Sequence, residues 1–470
     1  MRRKLVALAL LYFVATAQVA AAATLPITRE SQKDVMITIY NGNLGLVKDV
    51  REVRLPAGIN EVQFKDVAAQ IDPTTVHLKS ITDPAGLRIL EQNYEYDLVS
   101  SGKLMEKYVG KKVRLYGSDG TYVEATLLST NGPVFDINGQ IHLGHHGRIV
   151  LPALPDNLVS QPTLVWLLRN QLDRLQRVEA SYLTGGITWR ADYVMVINAS
   201  DTRTDLTGWV TVDNKSGTTY GNAALKLVAG DVNRARDPRR EGRMMDIAAK
   251  AASPAAASRD FASEGFFEYH LYTLDRPATV KDNQTKQMTL LSASAIPVTK
   301  RLIFQGQQLY FYNPYGEGSF PKQKVSVSLE IDNAQKNNLG IPLPKGTVRV
   351  YKADKDGSLQ FIGEDAIDHT AKDEKLTIKM GEAFDVVGTR KQIDFKRIAS
   401  TVSETAWEIV LRNHKTESVS VRVTEPVPGD WEVLSASHKY EKFDAHTLRF
   451  DVTVPKKGET KIIYRARVKM

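Results

Sequence analysis

The chain has no cysteine among its 470 residues. That absence removes disulfides, thiolate metal sites, iron–sulfur clusters, cysteine nucleophiles and any lipid carried on Cys. Beyond residue 23 the sequence also lacks the run of about 18 apolar residues that a membrane helix requires. Familiar catalytic fingerprints are missing too: no Gly-x-Ser-x-Gly elbow, no His-Glu-x-x-His, no Walker loop, and no Gly-x-Gly-x-x-Gly behind a strand. These gaps argue against common hydrolase, metalloprotease and nucleotide-binding classes, although a triad assembled from distant residues leaves no such trace. Charge of one sign is also scarce. With 62 Lys+Arg against 54 Asp+Glu, no basic block is dense enough to predict nucleic-acid binding.

What is present is ordinary for globular protein: 42% hydrophobic, 25% charged, 31 Gly and 19 Pro. Collagen, coiled coil and wholesale disorder are excluded on that ground. At about 150 residues per domain the length predicts about three domains. The first 23 residues read as an export leader. Arg2, Arg3 and Lys4 form a positive start, Leu5 to Val14 an apolar run too short to span a bilayer, and Ala21-Ala22-Ala23 a small-residue cleavage site. An uncleaved anchor is the alternative, and the short core favours cleavage before Thr24. Cleavage takes away three cations and no acid, leaving a net charge of +5. The expected location is the periplasm or the extracellular space, with no transmembrane segment in the mature chain.

Strand signals dominate the rest of the chain: β-branched runs of period two, broken by Gly, Asn, Asp and Pro turns. The fold class predicted is all-β, a multi-domain set of β-sandwiches with a small SH3-like barrel and a flexible insertion. The expected boundaries are an N-terminal β domain over 24–104, the barrel over 105–152, a central sandwich over 153–332 and a C-terminal sandwich over 333–470. Five short strands separated by Ser118-Asp119-Gly120, Asn131-Gly132, Asn138-Gly139 and Gly144-His145-His146-Gly147 suggest the barrel. An arginine-rich, then Ala/Ser-rich stretch over 233–263 reads as a mobile insertion. Trp166, Trp189 and Trp209 sit in long strand runs and are expected to anchor the core. Leu309–Tyr312 reads as a further strand, and Asp356-Gly357 and Asn413-His414-Lys415 as hairpin turns.

Several strings resemble a known family. They include Tyr182-Leu183-Thr184-Gly185-Gly186-Ile187-Thr188-Trp189-Arg190-Ala191-Asp192-Tyr193, Leu206-Thr207-Gly208-Trp209, Leu227-Val228-Ala229-Gly230-Asp231 and Leu343-Pro344-Lys345-Gly346-Thr347-Val348-Arg349-Val350-Tyr351. Together they are similar to an uncharacterised secreted bacterial family that carries a domain-of-unknown-function label, some of whose relatives are called mucoidy-inhibitor-like. The resemblance implies β-rich architecture and an extracytoplasmic home. It brings no catalytic residues.

Three clusters can carry chemistry. His142, His145 and His146 fall on a strand end and its turn, where imidazoles at i and i+3 can converge on Zn²⁺ or Cu²⁺; no fourth ligand is evident nearby, and an exposed polar turn is the structural alternative. Asp365, Asp368 and His369 lie in an acid-rich stretch that can hold a divalent metal or pair a base with its orienter; acids that cap turns are the structural alternative. Tyr310, Tyr312 and Tyr315, around Asn313-Pro314, form a candidate ligand-binding surface for a glycan or peptide. Read as a strand, this segment puts Tyr310 and Tyr312 on one face. The leading expectation is a non-enzymatic cell-envelope binding or scaffold protein without a cofactor, whose partner is an envelope protein or glycan. The alternatives are a metal-dependent enzyme centred on His369 and a periplasmic metal-binding protein using the histidine turn.

Overall fold

The computed structural model describes residues 24–95, 101–144, 147–153, 161–230, 232–233, 261–266, 269–316, 320 and 322–470. The leader, His145, His146 and residues 234–260 of the expected insertion lie outside them. The described chain is almost entirely β-strand, arranged in several multi-stranded sheets. Its described residues divide into two compact units, the first drawn from 24–36, 46–185 and 216–219, the second from 37–45, 186–215 and 220–470.

In the first unit, Thr24–Ile27 runs parallel to Gly58–Phe64, which pairs in turn with Thr163–Asn170 and that with Leu87–Glu95. Alternation decides which side is buried. Val62, Phe64, Leu164, Trp166 and Leu168 are all inward, as period two requires. Trp166 crosses Phe64 edge to face at 5.6 Å and donates its indole N–H to Gln92 Oε1 at 2.9 Å. Arg51 is fully buried here. Its guanidinium bonds Asp49 Oδ2 at 2.7 Å and the Ile27 carbonyl at 2.8 Å, and stacks 3.7 Å above Phe64. An isolated buried cation is costly, so the carboxylate, the carbonyl and the ring together make this one tolerable.

Residues 101–153 contain a short helix, Ser101–Lys107, which the strand pattern did not anticipate, and five antiparallel strands. Their order is Gln140–Leu143, Val134–Ile137, Tyr122–Ser129, Lys112–Tyr116, Arg148–Val150. The turns at Ser118-Asp119-Gly120, Asn131-Gly132 and Asn138-Gly139 form as their sequences predict, with Gly120, Gly132 and Gly139 at positive φ. Val113, Leu115, Ala125, Leu127, Phe135 and Tyr108 fill the interior.

Among the sheets that reach into the second unit are two whose strands run far from chain order. One runs Gln284–Pro297, Arg203–Asn214, Ile187–Ile197, Gly346–Ala353, Leu359–Ile367, and its central pair is parallel. The hairpin through Asp356-Gly357 forms, with Asp354 Oδ1 accepting the Asp356 and Ser358 N–H groups. Trp189 is buried and donates to the Val228 carbonyl at 3.1 Å. Trp209 departs from expectation. It is only half-buried, because Gly208 and Val210 take the inward positions and alternation turns the indole to the other face.

The other sheet has nine strands: Asp430–Ala436, Gly458–Lys469, Val402–Asn413, Lys375–Ala399, Gln323–Asp332, Thr299–Gln305, Val419–Pro426, Thr447–Val454 and Glu441–Asp444. Side chains from both halves of this path meet in one core, including Trp407, Ile409, Val421, Val423, Phe450 and Tyr464, so the sheet folds over on itself. The Asn413 turn is correspondingly not a hairpin. Val402–Asn413 pairs with Lys375–Ala399 and Gly458–Lys469, whereas Val419–Pro426 pairs with Thr299–Gln305 and Thr447–Val454. Asn413 is buried at this crossing, where its amide donates to the carbonyls of Glu417, Val454 and Pro455.

Candidate functional site

The tyrosine segment is where the structure departs most from the strand reading. Gln308–Phe311 is a 3-10 turn, not a strand. In a strand Tyr310 and Phe311 face opposite ways; the turn lets both rings enter the same core, where Tyr310 is 4% and Phe311 0% exposed. Pro314, which has no N–H to donate, is in keeping with the end of regular pairing here.

Tyr310 therefore supports the site and does not contact solvent. Its ring meets Phe320 at 4.8 Å, Trp407 at 5.4 Å and Tyr315 at 6.5 Å, and its hydroxyl accepts from Gln323 at 3.1 Å. Tyr315 is half-buried and donates its hydroxyl proton to the Leu309 carbonyl at 2.8 Å. Gln392 fastens the same turn from the strand Lys375–Ala399. Its Oε1 accepts the Tyr315 N–H at 2.7 Å, while its amide donates to the Asn313 carbonyl and to Thr405 Oγ1. Tyr312 remains outward, at 37% exposure. The structure thus brings Tyr310 and Tyr315 together as a base and leaves Tyr312 as the contact residue.

Tyr312 stands on one wall of an open groove of about 530 Å³. Gln308 and Asn313 share that wall, and Arg397, Ser400 and Thr401 come from the facing hairpin between Lys375–Ala399 and Val402–Asn413. The lining mixes an aromatic ring with amide, hydroxyl and guanidinium groups. That mixture suits a ligand with both C–H faces and hydroxyl or carboxylate groups.

Beneath the turn is a buried charge pair. Arg390 and Glu425 have fully buried side chains; Nη1 bonds Oε2 at 2.7 Å and Nη2 bonds Oε1. Tyr464 donates its hydroxyl to the same carboxylate at 2.9 Å. The guanidinium lies 4.7 Å from the Tyr310 ring and 5.5 Å from the rings of Phe304 and Trp407. Burial works to lower the Arg390 pKa, but the Glu425 charge outweighs it and holds the cation charged. Burial, followed by the same carboxylate, pushes the Tyr464 pKa well up, so its hydroxyl keeps the proton it donates. Backbone space is adapted to the pair as well: a Cβ on Gly306 would come within 2.7 Å of Glu425 Oε2.

Sequence reasoning did not single out Arg390 and Glu425, yet a signal existed. Val419, Val421, Val423, Glu425 and Val427 are successive inward positions, so Glu425 interrupts an otherwise apolar period-two run. A charge at such a position demands a buried partner.

Among the described residues the remaining candidates do not gather into one site. His142 is exposed on the edge strand Gln140–Leu143, opposite Phe135, and its companions His145 and His146 lie outside the described residues. Asp365 accepts the Lys379 N–H at 2.7 Å, and His369 Nδ1 accepts the Lys345 N–H at 3.2 Å. Asp368 is exposed, and its carbonyl accepts the Thr370 hydroxyl. Among the described residues no three His, Asp or Glu side chains gather as a metal-holding group. No helix among them is long and apolar enough to cross a membrane.

No curated protein matches the chain. Residues 178–470, more than half of the sequence and the whole of the segment bearing the Tyr312 groove, match the family described as "Domain of unknown function (DUF4139)". The chain belongs to that family.

Proposed function

We propose that this chain is a non-enzymatic, exported cell-envelope protein that binds or scaffolds an envelope glycan or protein, and that the groove beside Tyr312 is its contact site. The observation that carries this reading is the pairing of an exposed ring and polar side chains with a rigid floor. Tyr310, Trp407 and the Arg390–Glu425 pair lie directly beneath the turn, so little freedom is lost when a ligand settles on it. Export rests on the leader, with cleavage between Ala23 and Thr24 and release into the periplasm or beyond.

Affinity capture from envelope extracts tests the reading. Wild-type protein and the Tyr312→Ser/Arg397→Gln double variant serve as baits, with glycan and protein fractions identified separately. A defined glycan or protein retained at least tenfold better by the wild type is the expected result. Equal retention by both baits, or turnover on a panel of glycan and peptide substrates, overturns it.

A further inference from the structure

The outer face of the five-stranded sheet over 112–150 carries an ordered row of charge and aromatic rings that the Tyr312 site does not use. Arg148 is paired with Tyr116 across the sheet, and Tyr116 with Tyr122. The Arg148 guanidinium lies 5.0 Å from the Tyr116 ring centroid, the two tyrosine rings are 5.3 Å apart at an angle of 36°, and the Arg114 guanidinium lies 5.1 Å from Tyr122. Tyr122 is 48% exposed, and both arginines are exposed. Neither Arg114 nor Arg148 has an ion-pair partner among the described residues. Glu124 sits opposite Arg114 in register but places its carboxylate 3.3 Å from Lys112 Nζ.

We propose that this face binds an extended acidic peptide with carboxylates at alternate positions. Two features of the geometry select that ligand. First, the two rings lie against each other and beside the two guanidiniums, so the prominent polar feature of this face is the exposed charge of Arg114 and Arg148. A guanidinium beside a ring keeps N–H groups able to fork a carboxylate. Second, Arg114 and Arg148 are diagonal neighbours on one face of adjacent strands, with their guanidiniums on either side of the two rings. In an extended peptide, side chains at i, i+2 and i+4 share a face at intervals of about 7 Å. A row of carboxylates on one face of the peptide thus meets both guanidiniums on one face of the sheet, with charge complementarity supplying the attraction.

The test is fluorescence anisotropy with the full chain and a labelled peptide of alternating Glu and Ala. Three competitors accompany it: the Lys–Ala counterpart, a uronate oligosaccharide, and vesicles containing anionic phospholipid. The Glu–Ala peptide is expected to bind with salt-sensitive affinity. The Arg114→Gln/Arg148→Gln variant is expected to weaken that binding at least tenfold. Both arginines are exposed, and an unchanged circular-dichroism spectrum confirms that the variant folds. Absent binding, binding unaffected by the double substitution, or arginine-dependent preference for the oligosaccharide or the vesicles would each overturn the proposal.

Discussion

Glu425→Gln tests the floor of the site directly. In the wild type one carboxylate accepts both Arg390 Nη groups and the Tyr464 hydroxyl, with every partner buried. Glutamine keeps the shape but carries no charge and only one acceptor oxygen. Arg390 is then a buried cation without a counter-charge. Breaking a buried pair from one side costs about 3–5 kcal/mol, because the stranded charge keeps its desolvation penalty. At about 1.4 kcal/mol per factor of ten, that predicts a loss of hydrogen-exchange protection of about a hundredfold to a few thousandfold. Exchange read by mass spectrometry on peptides from Val402–Asn413 and Gly458–Lys469 localises the effect, which a global melt of a two-unit chain does not. A matched control separates charge from packing: Arg390→Met/Glu425→Leu removes both charges and fills the space with apolar atoms. That double variant should be more protected than Glu425→Gln alone. If Glu425→Gln stays within threefold of wild type, or the double variant is the less stable of the two, the pair is not what holds this core.

Three further outcomes rest on named contacts. A Cβ on Gly346 would come within 2.2 Å of the Ala191 carbonyl oxygen in the parallel strand pair. Gly346→Ala should therefore cost about 1–3 kcal/mol or more, read as a lower urea midpoint, whereas Gly357→Ala meets no atom and is strained only by its positive φ. Burial depresses the His270 pKa below its ordinary 6.5, so folding favours the neutral ring. Its contribution is complete above pH 6.5 and is lost as pH falls through the depressed value. Urea titrations across that window should show stability falling with pH, and His270→Gln should flatten the slope; an unchanged slope refutes the assignment. Intact-mass analysis of protein recovered from an exporting host should show a chain starting at Thr24, and a retained leader would contradict the export reading.

How much of the fold was legible in the sequence depends on the range of each interaction. Strands and tight turns are local, and the turns at Asn131-Gly132 and Asp356-Gly357 form as their sequences predict. Strand partnership is not local. Ile187–Ile197 lies parallel to Gly346–Ala353 across more than a hundred intervening residues, and nothing in either segment names the other. The 3-10 turn at Gln308–Phe311 was hidden for a different reason. Adjacent aromatics favour strands by propensity, but the core supplied by Trp407 and Arg390 rewards burying Tyr310 and Phe311 together. Trp209 shows the same limit, since alternation fixes its face only once the inward positions of Gly208 and Val210 are known. Of the site, Tyr312 was visible as a residue type beside Asn313-Pro314. Its groove was not, because Arg397, Ser400 and Thr401 reach it from a hairpin far along the chain.

The central claim is that a rigidly supported groove beside Tyr312 recognises an envelope ligand. The most direct measurement is isothermal titration of the envelope component captured by the wild-type protein into wild type, Tyr312→Ser and Glu425→Gln. Truncating a ring that contacts the ligand should weaken binding by about tenfold or more, and loosening the floor should weaken it in parallel through the cost of reordering the turn. Binding that is indifferent to Tyr312 would place the contact elsewhere and contradict the account.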